Sequence, residues 1–450
     1  MILELFSSFK KDILRDLKLA LSSFKERATK LEFMLIFVII FALSLSLFRV
    51  VYVDGKFFID DGYDRYAKSI INKLKDPSYD LDDDPSLKKF PHKLRIFYSF
   101  LVALFSYLFP IGIHTTGVIL STIATLISIY NLNLICKLRD ISYNYRIKIL
   151  IVFVSISSIT TNMARFETDM LFLMFVTFTI LYYEKYIRNG NVTDFRRLCL
   201  FALTATLTRE LGVILIIAIF ITYVARNIGT KWALLFFYNI FIFSFIILRY
   251  WGGYSIPRYI VIPNATERLY LSLLEANVSW NVFWGVFETR MQEYILKKVM
   301  ESLFYTFFLT IPLAIYGSGV INRLRYYGFF PTTIRIIERI FKDLSFLWFF
   351  SYIFFVFLIY SSRGVGRFWI PISFIPLFFL PQALEKMSCS SDIYIQKKNP
   401  GLSAEHHYDE SRRTFSFSER ENKILIIIVA LQFSLSIARI LLNVGGFGIS

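Results

Sequence analysis

Cysteine and histidine are scarce in this chain. Its 450 residues hold three cysteines (Cys136, Cys199, Cys389) and four histidines (His92, His114, His406, His407). No metal-ligand spacing joins them, which argues against a zinc site. There is no internal repeat, and no basic face interleaved with base-stacking aromatics, so the net charge of +16 does not describe a nucleic-acid surface. The first 30 residues are too polar and too repeatedly charged for a secretory signal. What is abundant is apolar surface. At 56% apolar, with 49 phenylalanines, the chain lies far above the roughly 45–50% of soluble proteins, and soluble classes drop out.

Several apolar runs reach the roughly 20 residues that cross a hydrocarbon core of about 30 Å. Basic residues collect in alternate loops, as the positive-inside rule expects. Counting Leu94 to Pro110 as a span would put Lys137, Arg139, Arg146, Lys148, Lys185, Arg188, Arg196 and Arg197 outside. Treating that short segment as an amphipathic helix on the outer surface removes the conflict. The expected fold is an all-α polytopic membrane protein of about eleven transmembrane helices, with juxtamembrane helices on the outer surface after the first span. The expected spans are roughly 31–53, 113–136, 147–163, 170–187, 195–208, 211–226, 231–250, 299–320, 344–361, 367–384 and 423–443. Residues 1–30 read as a cytoplasmic amphipathic helix. The two large outer loops are 54–112 and 251–298, and 385–422 reads as a cytoplasmic polar linker. With an N-terminus inside, all three cysteines fall at or near the cytoplasmic side, where thiols stay reduced.

Charges at the outer ends of spans are the candidates for chemistry, because desolvating them is costly. The first outer loop opens with Asp60-Asp61-Gly62-Tyr63-Asp64-Arg65-Tyr66-Ala67. A carboxylate there can take a proton from an attacking hydroxyl or hold a divalent metal; solvation of an acidic loop is the plainer alternative. Arg165-Phe166-Glu167-Thr168-Asp169 forms a tight connection between two spans. It either caps them with a salt bridge or offers Arg165 to a phosphate and Glu167 or Asp169 to a sugar hydroxyl or a metal. Arg209-Glu210 poses the same choice. In Ser362-Arg363-Gly364-Val365-Gly366-Arg367 two arginines flank glycines, and paired guanidinium groups suit bidentate oxyanion contacts.

These residues resemble motifs of the GT-C superfamily of integral membrane glycosyltransferases. The first-loop acidic motif is matched by Asp60-Asp61-Gly62-Tyr63 with Tyr66-Ala67, and the next outer hairpin by Arg165, Glu167 and Asp169. A basic outer turn is matched by Thr208-Arg209-Glu210, and a late arginine followed by aromatics and prolines by Arg367-Phe368-Trp369-Ile370-Pro371. The resemblance covers most of 31–384 in layout. The Trp-Trp-Asp-Tyr-Gly motif of the oligosaccharyltransferase subunit is absent, which argues against that branch.

The resemblance implies transfer of a sugar from a polyprenyl-phosphate-linked donor to a lipid-linked or protein acceptor on the outer face, with inversion. Asp60, Asp61 or Asp64 would be the base, and Arg209, Arg363 and Arg367 would hold the donor phosphate. Tyr63, Tyr66, Arg165, Glu167, Asp169 and Glu210 would contact substrate. A divalent metal, magnesium or manganese, is an optional addition, with Asp61 and Asp169 as its candidate ligands. The rival functions are a polymerase or ligase of lipid-linked polysaccharide and a membrane transporter. The latter expects charged groups on broken helices and repeated halves.

Overall fold

A computed structural model describes residues 30–53, 63–79, 96–109, 111–209, 211–226, 337–338, 340–359, 370–385 and 410–444. Described residues form helices and no strands. In chain order the helices are α1 (Lys30–Phe48, continued by a π-helical turn Arg49–Val53), α2 (Tyr63–Lys75), α3 (Ile96–Leu108), α4 (Ile113–Leu138), α5 (Tyr143–Ser155), α6 (Ser157–Asn162), α7 (Thr168–Asn189), α8 (Val192–Thr208), α9 (Gly212–Ala225), α10 (Leu344–Ile359) and α11 (Glu410–Val444). Short 3-10 turns, Ile370–Ile372 and Pro376–Phe379, lie between the last two.

Side-chain distribution identifies the medium. In α1 the buried residues are Val38, Ala42 and Ser46, one narrow stripe, while Phe33, Phe37 and Ile40 face outward at 59–65% exposure. In α4 the inward face is small or hydroxylated (Gly117, Ser121, Ala124, Thr125, Ser128), and Ile119, Ile123 and Leu126 point out. Large apolar groups outside and small ones at the helix interface invert the soluble pattern and match helices packed in lipid. Among the described residues, four stretches are long and apolar enough to cross a membrane: Lys30–Val51, Ile113–Leu138, Thr168–Asn189 and Glu419–Ala438. The chain is an all-α membrane protein.

Other expected spans take different forms. The segment expected as a single span over 147–163 is two helices, α5 and α6, broken at Ile156 (φ −54°, ψ 126°). Mean hydropathy conceals the run Ser157-Ser158-Ile159-Thr160-Thr161-Asn162, whose hydroxyls can compete for backbone partners. Thr160 Oγ1 donates to the Val154 carbonyl at 2.9 Å, which satisfies one group freed by the break. The α3 segment is a helix of 13 residues, about 20 Å long at 1.5 Å per residue, short of a crossing. The expected spans 231–250 and 299–320, the N-terminal helix 1–30, the loop 251–298 and most of the linker 385–422 lie outside the described residues.

Helix α7 is the hub, buried from Thr168 to Tyr183. It runs parallel to α4: Ser121 meets the Glu167 carbonyl, Asn131 meets Thr177 and Arg139 meets Glu184. It runs antiparallel to α8, with Phe178 and Phe201 stacked 4.5 Å apart. Gly190 in the left-handed conformation (φ 64°) ends α7 and lets the chain turn into α8, whose Asn191 side chain accepts from the Thr193 amide. The bundle therefore has two distinct ends. Arg139, Glu184, Arg226 and Asp343 gather at one, and Arg49, Thr161, Arg165, Asp169 and Arg209 at the other.

Candidate functional site

The second of these ends carries most of the described candidates. The connection from α6 to α7 is a compact hairpin. Arg165 N–H donates to the Asn162 carbonyl at 3.1 Å and Glu167 N–H to the Arg165 carbonyl at 2.8 Å. The Ala164 amide donates to Ser46 Oγ of α1 at 2.8 Å. From α4, Thr125 Oγ1 donates to the Met163 carbonyl at 3.4 Å and Ser121 Oγ to the Glu167 carbonyl at 3.5 Å. Hydroxyls on two spans thus fix a turn that would otherwise bury unpaired backbone groups.

The hairpin is keyed by Phe166. Its ring lies over Gly117 so closely that a Cβ at position 117 would overlap it. Tyr98 of α3 and His114 of α4 flank the ring, with centroids 5.6 Å and 5.4 Å away. Gly117→Ala is expected to push Phe166 out and carry Arg165 and Glu167 with it, destabilising the protein by about 1–3 kcal/mol. Phe166→Leu added to Gly117→Ala should recover part of that loss. Thermal unfolding of both variants in detergent checks this; equal stability of Gly117→Ala and wild type would contradict the notch.

Two ion pairs follow from the hairpin. Arg165 Nη1 lies 2.8 Å from Glu167 Oε1, with the guanidinium 17% exposed and the carboxylate 3%. Asp169, in the first turn of α7, pairs with Arg209 at the end of α8, at side-chain exposures of 3% and 1%. A carboxylate in that first turn also faces the positive end of the helix dipole. The salt-bridge reading of these residues is therefore realised, twice. Gly212 opens α9 so near α8 that a Cβ would fall 2.5 Å from the Thr206 backbone nitrogen, which holds the Arg209 turn tight.

Helix α2 brings the first-loop motif onto this end. Tyr63 Oη is 3.5 Å from Thr168 Oγ1, and its ring meets Tyr98 edge to face at 5.7 Å. Tyr66 is buried on the same helix. Asp64 is 8% exposed; one carboxylate oxygen lies 3.4 Å from Lys68 Nζ. Its other oxygen, Oδ1, is buried with no hydrogen-bond partner among the described residues. Buried carboxylate oxygens are normally satisfied, which sets this one apart as a candidate.

The structure thus gathers Tyr63, Arg165, Glu167, Asp169 and Arg209, with Asp64 and Tyr66 on the adjoining helix. Asp60, Asp61, Glu210, Arg363 and Arg367 lie outside the described residues. Sequence reasoning passed over Arg49, Tyr98 and His114. Arg49, 5% exposed on the π-helical turn, donates from Nη1 to the Thr161 carbonyl at 3.2 Å. Its signal was a lone basic residue at the end of an apolar run, the usual mark of a functional membrane charge. Among the described residues no group of three or more His, Cys, Asp or Glu side chains could hold a metal ion. No family model matches the chain, and no curated protein matches it.

Proposed function

We propose that this chain is a GT-C-type membrane glycosyltransferase. It moves a sugar from a polyprenyl-phosphate-linked donor to a lipid-linked or protein acceptor, with inversion. The observation that carries the proposal is Asp64: a buried carboxylate with one unpartnered oxygen, on the helix whose Tyr63 reaches Thr168 at the end of the bundle that holds two arginine–carboxylate pairs. This reading has about eleven spans, a cytoplasmic N-terminus and the Asp64 end on the extracytoplasmic side, which the charge pattern of the loops supports.

In this reading Asp64 removes the acceptor hydroxyl proton as that oxygen forms its bond to the anomeric carbon. The bond from that carbon to the donor phosphate breaks on the opposite face, which inverts the centre. Negative charge then grows on the polyprenyl phosphate, and Arg363 and Arg367 stabilise it. Arg209 is committed to Asp169 and Arg165 shares Glu167, so these arginines order the site rather than carry the leaving group. The pairing also leaves Asp169 poorly suited to a metal.

The test is transfer of radiolabelled sugar from polyprenyl-phosphate donors by membranes containing the chain. Transfer is expected, with loss of about 100-fold in Arg367→Ala and an inverted anomer in the product. Failure with every donor of this class would sink the proposal.

A further inference from the structure

Helix α2 presents two unlike faces. Tyr63, Tyr66, Ala67 and Ile70 are buried, and Tyr63 meets Tyr98 of α3 edge to face at 5.7 Å. Arg65, Lys68, Asn72 and Lys75 recur at i, i+3, i+7 and i+10, so they share the opposite face. Lys68 is 58% exposed, Asn72 and Lys75 are exposed, and Arg65 is half-buried. With Lys73 the helix holds four basic residues against one acid, Asp64. Two of these cations have local roles. Lys73 Nζ donates to the Pro77 carbonyl at 2.7 Å, beyond the helix end, and Lys68 Nζ lies 3.4 Å from Asp64. An ammonium group has three donors, so the Asp64 contact leaves Lys68 able to bind a second anion.

Helix α3, against which α2 packs, bears no charge. Its Phe100 and Tyr107, at i and i+7, are exposed, as is Leu108. An apolar helix with outward aromatics suits the acyl boundary of a bilayer, where tyrosine is enriched. A basic helix face next to it suits the phosphate layer just above. The level also fits: Tyr63 reaches Thr168, the first residue of the span Thr168–Asn189, so α2 sits where that span leaves the bilayer.

We infer that the Arg65–Lys68–Lys75 face of α2 binds the phosphate of an anionic glycerophospholipid, with α3 supplying apolar contact for its acyl chains. The site uses no chemistry at Asp64, so it stands or falls apart from the glycosyltransferase reading.

The test is native mass spectrometry of the full chain in detergent, titrated with phosphatidylglycerol and, as the control of zero net charge, phosphatidylcholine. Wild type is expected to bind phosphatidylglycerol more tightly. Lys68→Gln with Lys75→Gln should weaken that binding about fivefold for each charge removed and leave phosphatidylcholine binding unchanged. Lys68→Arg with Lys75→Arg keeps both charges and should bind as wild type does. Lys75→Gln alone, at the exposed end of the helix, should give the loss of one charge while leaving the Asp64 contact in place, which separates lost binding from misfolding. No preference for phosphatidylglycerol in wild type, or wild-type affinity in the glutamine variants, overturns the inference. An equal loss for both lipids overturns it too.

Discussion

Arg209→Ala is expected to be the most damaging single substitution at the site. The guanidinium and its Asp169 partner are 1% and 3% exposed, so deletion of either leaves a charge in an apolar interior. Removing one member of such a pair costs about 3–5 kcal/mol. Arg209→Lys keeps the charge but not the planar fork, and should recover only part of the loss. Replacing both partners, as in Arg209→Met with Asp169→Leu, removes the desolvation cost with the attraction and should restore folding. Thermal unfolding in detergent ranks these variants. Wild-type stability in Arg209→Ala would contradict the buried pair. Transfer activity in the folded double variant adds a second result: if it persists, the pair is only a strut and Asp169 has no part in sugar binding.

The opposite end of the bundle gives the second large effect. Arg139 donates from Nη2 to Glu184 at 2.6 Å, to Asp343 at 3.0 Å and to Ser345 at 2.9 Å, and lies 4.4 Å from the Phe378 ring centroid. One side chain thus fastens α4, α7, α10 and the Pro376–Phe379 turn. Burial by itself disfavours its charge, but Asp343 and Glu184 more than offset this and hold its pKa above the usual value. Arg139→Gln leaves Glu184 and Asp343 without the cation they share, at a cost of about 3 kcal/mol. Adding Glu184→Gln removes their mutual repulsion and should raise the unfolding temperature above that of Arg139→Gln alone. A double variant less stable than the single one would show that Arg139 acts elsewhere.

Much of this architecture is legible in the sequence because membrane solvation writes itself into composition. Helix α1 follows from an unbroken apolar run, and α3 from a segment too short to cross between two prolines. The charges Arg165, Glu167 and Asp169 stand out because they interrupt apolar spans. What they do there is less legible. The Asp169–Arg209 pair joins the two ends of an antiparallel hairpin, and only packing decides that these charges meet each other and not a ligand. The break at Ile156 escapes notice because Ser and Thr are tolerated in membrane helices. Gly117 reads as an ordinary small residue until Phe166 is laid over it. His114 reads as a lone histidine, since its neighbours come from α2 and from a hairpin far along the chain.

The most direct test of the glycosyl-transfer reading is sugar transfer in proteoliposomes by wild type and Asp64→Asn, matched for folded yield. Asp64→Asn keeps the shape of the side chain and removes its capacity to accept a proton. Robust transfer by wild type with a loss of about 100-fold or more in the variant is the predicted result. Equal transfer by the two proteins would contradict it.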